Sequence, residues 1–147
     1  MMKNLQLENI IIATGRKESQ CNCSKCQKQC NVPCLGTPDD ILKLIEAGYK
    51  DKLIVSTWIV GMMLEKYPEP IVMFQAKRTE NGCVFFKNGL CELHDLGLKP
   101  TEGKLSHHEI RLDNYIFELS LNWNVAKKWI DKENYTKVVR ICFLMSQ

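Results

Sequence analysis

GTPDDILKLIEAGY (36–49) decides how this chain is read. Thr37 can cap the open amides at the start of a helix, and Pro38 suits the first helical position. Asp39 and Asp40 complement the positive end of the helix dipole. Ile41, Leu44 and Ile45 fall on one face, and Gly48 is a natural stop. The spacing predicts a helix that begins just after Cys34. Its amino end is expected to face the preceding residues and to favour thiolate there.

Those residues are CNCSKCQKQCNVPC (21–34), which hold five of the chain's eight cysteines. Their neighbours are Asn, Ser, Lys and Gln, so this is a polar loop and not a core segment. Cys23 and Cys26 form a C-x2-C pair, a spacing that lets two thiolates of one tight loop reach one ion. Cys30 and Cys34 continue at intervals of four. Pro33 disfavours a regular helix through Cys34, so a wrapped loop is expected. A second block, CVFFKNGLCELH (83–94), reads as a small hairpin with Cys83 and Cys91 flanking the KNG turn. One loop and one hairpin can close a single site across some fifty residues. Metal binding there would supply folding free energy, about 10 kcal/mol for structural zinc.

The expected ligand pool is Cys23, Cys26, Cys30, Cys34, Cys83 and Cys91, with Cys21 in reserve. One tetrahedral ion needs four ligands. The surplus suits two ions with bridging thiolates, an iron–sulfur cluster beside a second site, or thiol exchange. Cys142 lies on an apolar helical stripe and is expected to fill space in the core. His94, His107 and His108 are the only histidines.

The two blocks in this order resemble the cysteine-rich family of zinc- or iron-chelating domains known as CxxCxxCC proteins. The matching residues are CSKCQKQCNVPC (23–34), the acid-started helix TPDDILKLI (37–45), CVFFKNGLCELH (83–94) and LKPTEG (98–103). The resemblance spans roughly residues 21–108 and implies metal or cluster binding without one shared reaction. The chain departs from the family pattern in three places. NVP separates Cys30 from Cys34, Lys99-Pro100 stands where Arg-Pro is usual, and Gly103 lies near the place of a late Cys. Glu102 or His107 is the candidate to replace that ligand, unless the site closes without one.

Residues 1–20 read as a short strand or arm leading to the cysteine loop. Residues 53–67 read as a buried helix ended by Pro68 and Pro70. IVMFQAK (71–77) and CVFF (83–86) read as strands. SHHE (106–109) fits a capping box. From about Leu119 two helices are expected, with stripes at Ala126, Trp129, Ile130 and at Tyr135, Val138, Val139, Cys142. Trp58, Trp123 and Trp129 are expected in the core. The fold class is therefore a single α+β domain over 1–147, mostly helical, with its metal loop packed against a short hairpin. The metal blocks lie at about 21–34 and 83–108, and the C-terminal helices at about 119–147.

The hydrophobic fraction of 45% and charged fraction of 25% are those of an ordinary globular chain. Net charge is only +3, with Lys and Arg interleaved among acids, so nucleic acid is not an expected partner. The longest apolar stretch, LIVSTWIVGMML (53–64), falls short of the roughly 20 residues that cross a bilayer. No secretory pattern is seen at the start. The expected compartment is the cytoplasm, where clustered cysteines bind metal or do redox chemistry more often than they form disulfides. The expected function is metal binding, as zinc or an iron–sulfur cluster, with a protein partner compatible but unidentified. The alternative is a metal- or cluster-dependent enzyme with an open coordination position near Glu102 and His107.

Overall fold

A computed structural model describes residues 5–18, 33–87, 90–93, 96–106 and 116–147. The first element is a helix, α1 (Leu5–Thr14), and not the strand or arm expected from the Ile10–Ala13 run. Burial of Leu7 and Ile10, three apart, is a helical period. Gln6 is buried beside them and bonded through both ends of its amide. Its amide nitrogen donates to Asn134 Oδ1 at 2.6 Å, and its carbonyl oxygen accepts from Asp39 N at 3.1 Å.

The helix read from 36–49 is α2 (Pro38–Glu46). Thr37 caps it in a full capping box with Asp40. Gly48, at φ +92°, turns the chain out of it. Ile41 and Leu44 are buried in the main core.

Residues 53–67 are not one buried helix. They form strand β1 (Leu53–Trp58) and a single helical turn, α3 (Val60–Met63). LIVSTW is short and rich in β-branched and aromatic side chains, and it pairs antiparallel with β2 (Ile71–Ala76), Leu53 opposite Ala76 and Trp58 opposite Ile71. Two smaller pairings follow: β3 (Arg78–Thr79) with β4 (Gly82–Cys83), and β5 (Phe86–Lys87) with β6 (Leu90–Cys91). CVFF is thus split between two hairpins, with a turn at Val84 and Phe85. Residues 88–89 of the KNG turn (87–89) and the SHHE motif beyond Ser106 lie outside the described residues.

The remaining helices are α4 (Thr101–Leu105), α5 (Leu121–Ala126) and α6 (Tyr135–Met145). Among the described residues, six helices and small antiparallel pairings make the α+β domain that the sequence predicts. Trp58, Trp123, Phe117 and Tyr67 stack as one aromatic group, with Phe117 and Trp123 centroids 4.9 Å apart. Trp129 is buried, but Ile130 is exposed. On α6 the expected stripe is on the wrong side. Ile141 is the buried residue, while Tyr135, Val139 and Cys142 face out. Helix α6 meets the core edgewise: Val138 and Met145 flank Ile141, and Lys137 reaches back to Asp39 at 2.8 Å. Cys142 is therefore a surface thiol and not core filling.

Candidate metal-binding region

The segment that carries Cys34 is fixed by five contacts to the rest of the fold. Leu35 N donates to Glu102 Oε1 at 2.9 Å, and Glu102 N donates back to Leu35 O at 3.0 Å. Trp129 Nε1 donates to Gly36 O at 2.8 Å. Asp40 Oδ2 accepts from Thr101 N at 2.8 Å and from Thr101 Oγ1 at 2.6 Å. The same oxygen closes the capping box by accepting from Thr37 N at 2.9 Å. Residues 33–37 and 98–105 are thereby laced together over a buried carboxylate.

Two glycines permit this approach. A Cβ at Gly36 would lie 3.1 Å from Asp40 Cβ and 3.3 Å from Pro100 Cβ. A Cβ at Gly103 would lie 3.0 Å from Cys34 Sγ and 2.9 Å from Lys99 Cε. Cys34, itself half-buried, therefore rests against the bare backbone of α4 beside the Lys99 stem.

Glu102 sits next to that contact. Burial raises its carboxyl above the ordinary range, opposed by the Leu35 N–H and by the charge of Arg16. Burial in turn lowers Arg16, whose Nη1 donates to Leu105 O at 3.4 Å, and Glu102 opposes that shift. The pair leaves a desolvated carboxylate one residue from a thiol. Asp39 N is taken by Gln6, Asp40 N by Thr37 Oγ1, and Ile41 N by Thr37 O, so the open amides of the helix are consumed within the protein.

In the second block Cys83 is buried at the end of β4, opposite Arg78. Cys91 is half-buried on β6, opposite Phe86. The two thus lie on successive hairpins and not on the two arms of one. Glu92 N donates to Phe85 O at 2.8 Å, which extends the β5–β6 pairing by one step. Lys52 and Lys87 both reach Glu92, at 3.0 and 3.4 Å. The hydrogen bond from Lys52 lowers the Glu92 pKa below the usual carboxylate range.

No disulfide joins any two of Cys34, Cys83, Cys91 and Cys142. Among the described residues no three His, Cys, Asp or Glu side chains converge as a metal-holding group. Cys23, Cys26 and Cys30, and with them Cys21, His94, His107 and His108, lie outside the described residues. The structure brings Cys34 to Glu102 and Gly103, and places Cys83 and Cys91 in adjacent hairpins. Asp40, Thr101 and Arg16 were not singled out from sequence as parts of this region. Only the acid-started helix hinted at Asp40. No family model, no curated protein and no solved structure matches the chain. The CxxCxxCC resemblance rests on the quoted blocks alone. Among the described residues no helix is long and apolar enough to cross a membrane.

Proposed function

We propose that the chain is a metal-binding protein that holds a zinc ion or an iron–sulfur cluster through its two cysteine blocks. The observation that carries this reading is the density of thiols in a polar loop, five in residues 21–34, ending on a Cys34 whose neighbours Leu35 and Gly36 are hydrogen-bonded to Glu102 and Trp129. The donor chemistry fits. Thiolates bind zinc, iron and iron–sulfur centres, and a desolvated carboxylate beside them gains from a nearby cation. Cys34, Cys83 and Cys91 are the described members of the ligand pool, which Cys23, Cys26 and Cys30 would complete. Zinc with full thiolate coordination would serve structure, whereas a cluster would bring redox chemistry.

A second reading, an enzyme with an open coordination position, draws on Glu102. Its carboxyl is desolvated next to Cys34, and among the described residues one of its oxygens is held, by Leu35 N. In that role Glu102 would ligate the metal or move a proton at its outer oxygen.

The test is elemental analysis with a visible spectrum on protein purified anaerobically. About one zinc per colourless chain supports a structural or hydrolytic site. Iron with acid-labile sulfide and a brown colour supports a cluster. Absence of both overturns the proposal. Glu102→Gln then separates the two readings, because it keeps an oxygen acceptor for Leu35 N but loses the charge. Unchanged metal affinity in that variant rejects a ligand role for Glu102.

A further inference from the structure

We infer that the outer face of α6 docks on an anionic lipid surface, where the chain lies against the membrane without crossing it. This does not rest on the metal reading. Two ties fix which face of α6 is outward. Lys137 pairs at 2.8 Å with Asp39 in the first turn of α2, and Lys50, just past the end of α2, donates to Gln147 O. The helix is thus pinned along α2, with Ile141 buried in the core. Successive residues of a helix turn by about 100°, so Tyr135, Val139 and Phe143 point away from Ile141. Side chains four apart lie in one row. The three are 71%, 49% and 62% exposed, and Cys142 beside them is exposed too.

A helix that is apolar on both faces is ordinarily covered on both. Val138, Ile141 and Met145 supply the core face of α6, and the row from Tyr135 to Phe143 is a second apolar face. Exposed apolar faces of this kind mark interaction sites.

The charge around the row selects the cover. In residues 127–147, Lys127, Lys128, Lys132, Lys137 and Arg140 stand against Asp131 and Glu133. Residues 1–126 hold fifteen charges of each sign, so the whole net charge of +3 falls in this last segment. Asp131 is matched by Lys128 at 3.8 Å, and residues 134–147 contain no acid. Arg140 is exposed on the flank of the row, and Lys132 is exposed just before the helix. Aromatic and aliphatic side chains beside Lys and Arg make up a helix that lies in the plane of an anionic bilayer. Tyr135 would sit at headgroup level, Val139 and Phe143 would enter the acyl boundary, and Arg140 would meet lipid phosphate. An acidic protein helix would need acids placed in register with both cations. An anionic bilayer presents negative charge across its whole face and needs no register.

One helix of 11 residues gives weak, reversible attachment, so the test uses lipid in excess. The reduced full chain is floated with vesicles of phosphatidylcholine alone or with about 30% phosphatidylserine, which supplies the negative surface potential. It is expected to float with the anionic vesicles only, and to be released as salt rises from about 0.1 to about 0.5 M. Arg140→Gln is expected to weaken partition about fivefold, the effect of one surface cation. Val139→Asp is expected to abolish it with an unchanged circular dichroism spectrum, since the position is exposed. Val72→Asp makes the same change of charge at an exposed apolar site on β2 and is expected to bind as wild type does. Vesicle binding should also slow the reaction of Cys142 with a water-soluble maleimide, followed by peptide mapping. The proposal is overturned by absence of flotation with anionic vesicles, by equal flotation with neutral ones, or by unchanged partition in Arg140→Gln or Val139→Asp. Equal loss in Val72→Asp, or Cys142 labelling that vesicles do not slow, overturns it as well. An acidic amphipathic peptide that protects Cys142 where vesicles do not would assign the face to a protein partner instead.

Discussion

Replacing Gly103 tests the placement of Cys34 directly. A Cβ added at this position would lie 3.0 Å from Cys34 Sγ. Across a disulfide each Cβ lies about 3 Å from the opposite sulfur, given an S–S length near 2.04 Å. Gly103→Cys therefore puts a second sulfur where a bond to Cys34 needs little backbone movement. In metal-free protein under mild oxidation the two should link, which peptide mapping would identify among the other thiols. The link closes a loop of about 70 residues, and the chain-entropy model gives it ~4 kcal/mol of stability, less any strain. The assay is the urea midpoint with and without reductant. The midpoint should rise on oxidation and fall below wild type on reduction, because the reduced side chain crowds Lys99 and Cys34. Gly103→Ala checks the same contact without chemistry. Helix propensity alone would stabilise it by about 1 kcal/mol, whereas a contact at 3.0 Å with sulfur and 2.9 Å with Lys99 Cε opposes that gain. A Gly103→Ala protein more stable by the full propensity difference, together with no 34–103 link in Gly103→Cys, would refute the packing of Cys34 on α4.

Asp40→Ala removes the acceptor of three hydrogen bonds, from Thr37 N, Thr101 N and Thr101 Oγ1. Their donors are buried, so a loss of about 3 kcal/mol is expected in urea denaturation. Thr101→Val, which removes only the hydroxyl donor, should cost about 1 kcal/mol. Cys83→Ser and Cys91→Ser are each expected to lower bound metal measured per folded chain, and full retention in the double variant would sink the two-block site. Cys142→Ala should leave metal content unchanged and stability within about 0.5 kcal/mol, since the thiol is exposed. In wild type Cys142 should be alkylated before the buried Cys83, as timed mass spectrometry would show.

Helix α2 was legible because every signal agrees: Thr37 and Asp40 at the cap, Pro38 inside it, Gly48 past the end. The failures have local causes. LIVSTWIVGMML is apolar on all sides, and periodicity cannot separate a buried helix from a strand followed by a turn. Its β-branched residues argued for the strand that formed. In α1 the apolar run Ile10–Ala13 masks the wider period set by Leu7 and Ile10. On α6, Tyr135, Val138, Val139 and Cys142 are apolar at helical spacing, yet Ile141 is the residue that the fold buries. A short helix docked by its edge through Lys137 and Asp39 need not bury its widest apolar stripe. The ties around Cys34 could not be read at all. They join residues more than sixty positions apart, and the role of Gly103 is the side chain that it lacks.

Those ties also change what metal would do for the fold. The sequence suggested that coordination pins the loop to the hairpin and supplies folding free energy. Yet Leu35, Gly36 and Thr37 are bonded to Glu102, Trp129 and Asp40 by protein groups alone. Free energy of coordination at Cys34 is then not consumed in ordering residues 33–37, unlike in a zinc finger, where the apo chain is unfolded. A chelator should therefore release metal while the amides of Leu35, Thr37, Ile41, Thr101 and Glu102 keep their protection against hydrogen exchange. If those five amides lose protection together with the metal, the clasp depends on coordination. The hydrogen bonds accepted by Asp40 and Glu102 would then be consequences of the bound ion and not its scaffold.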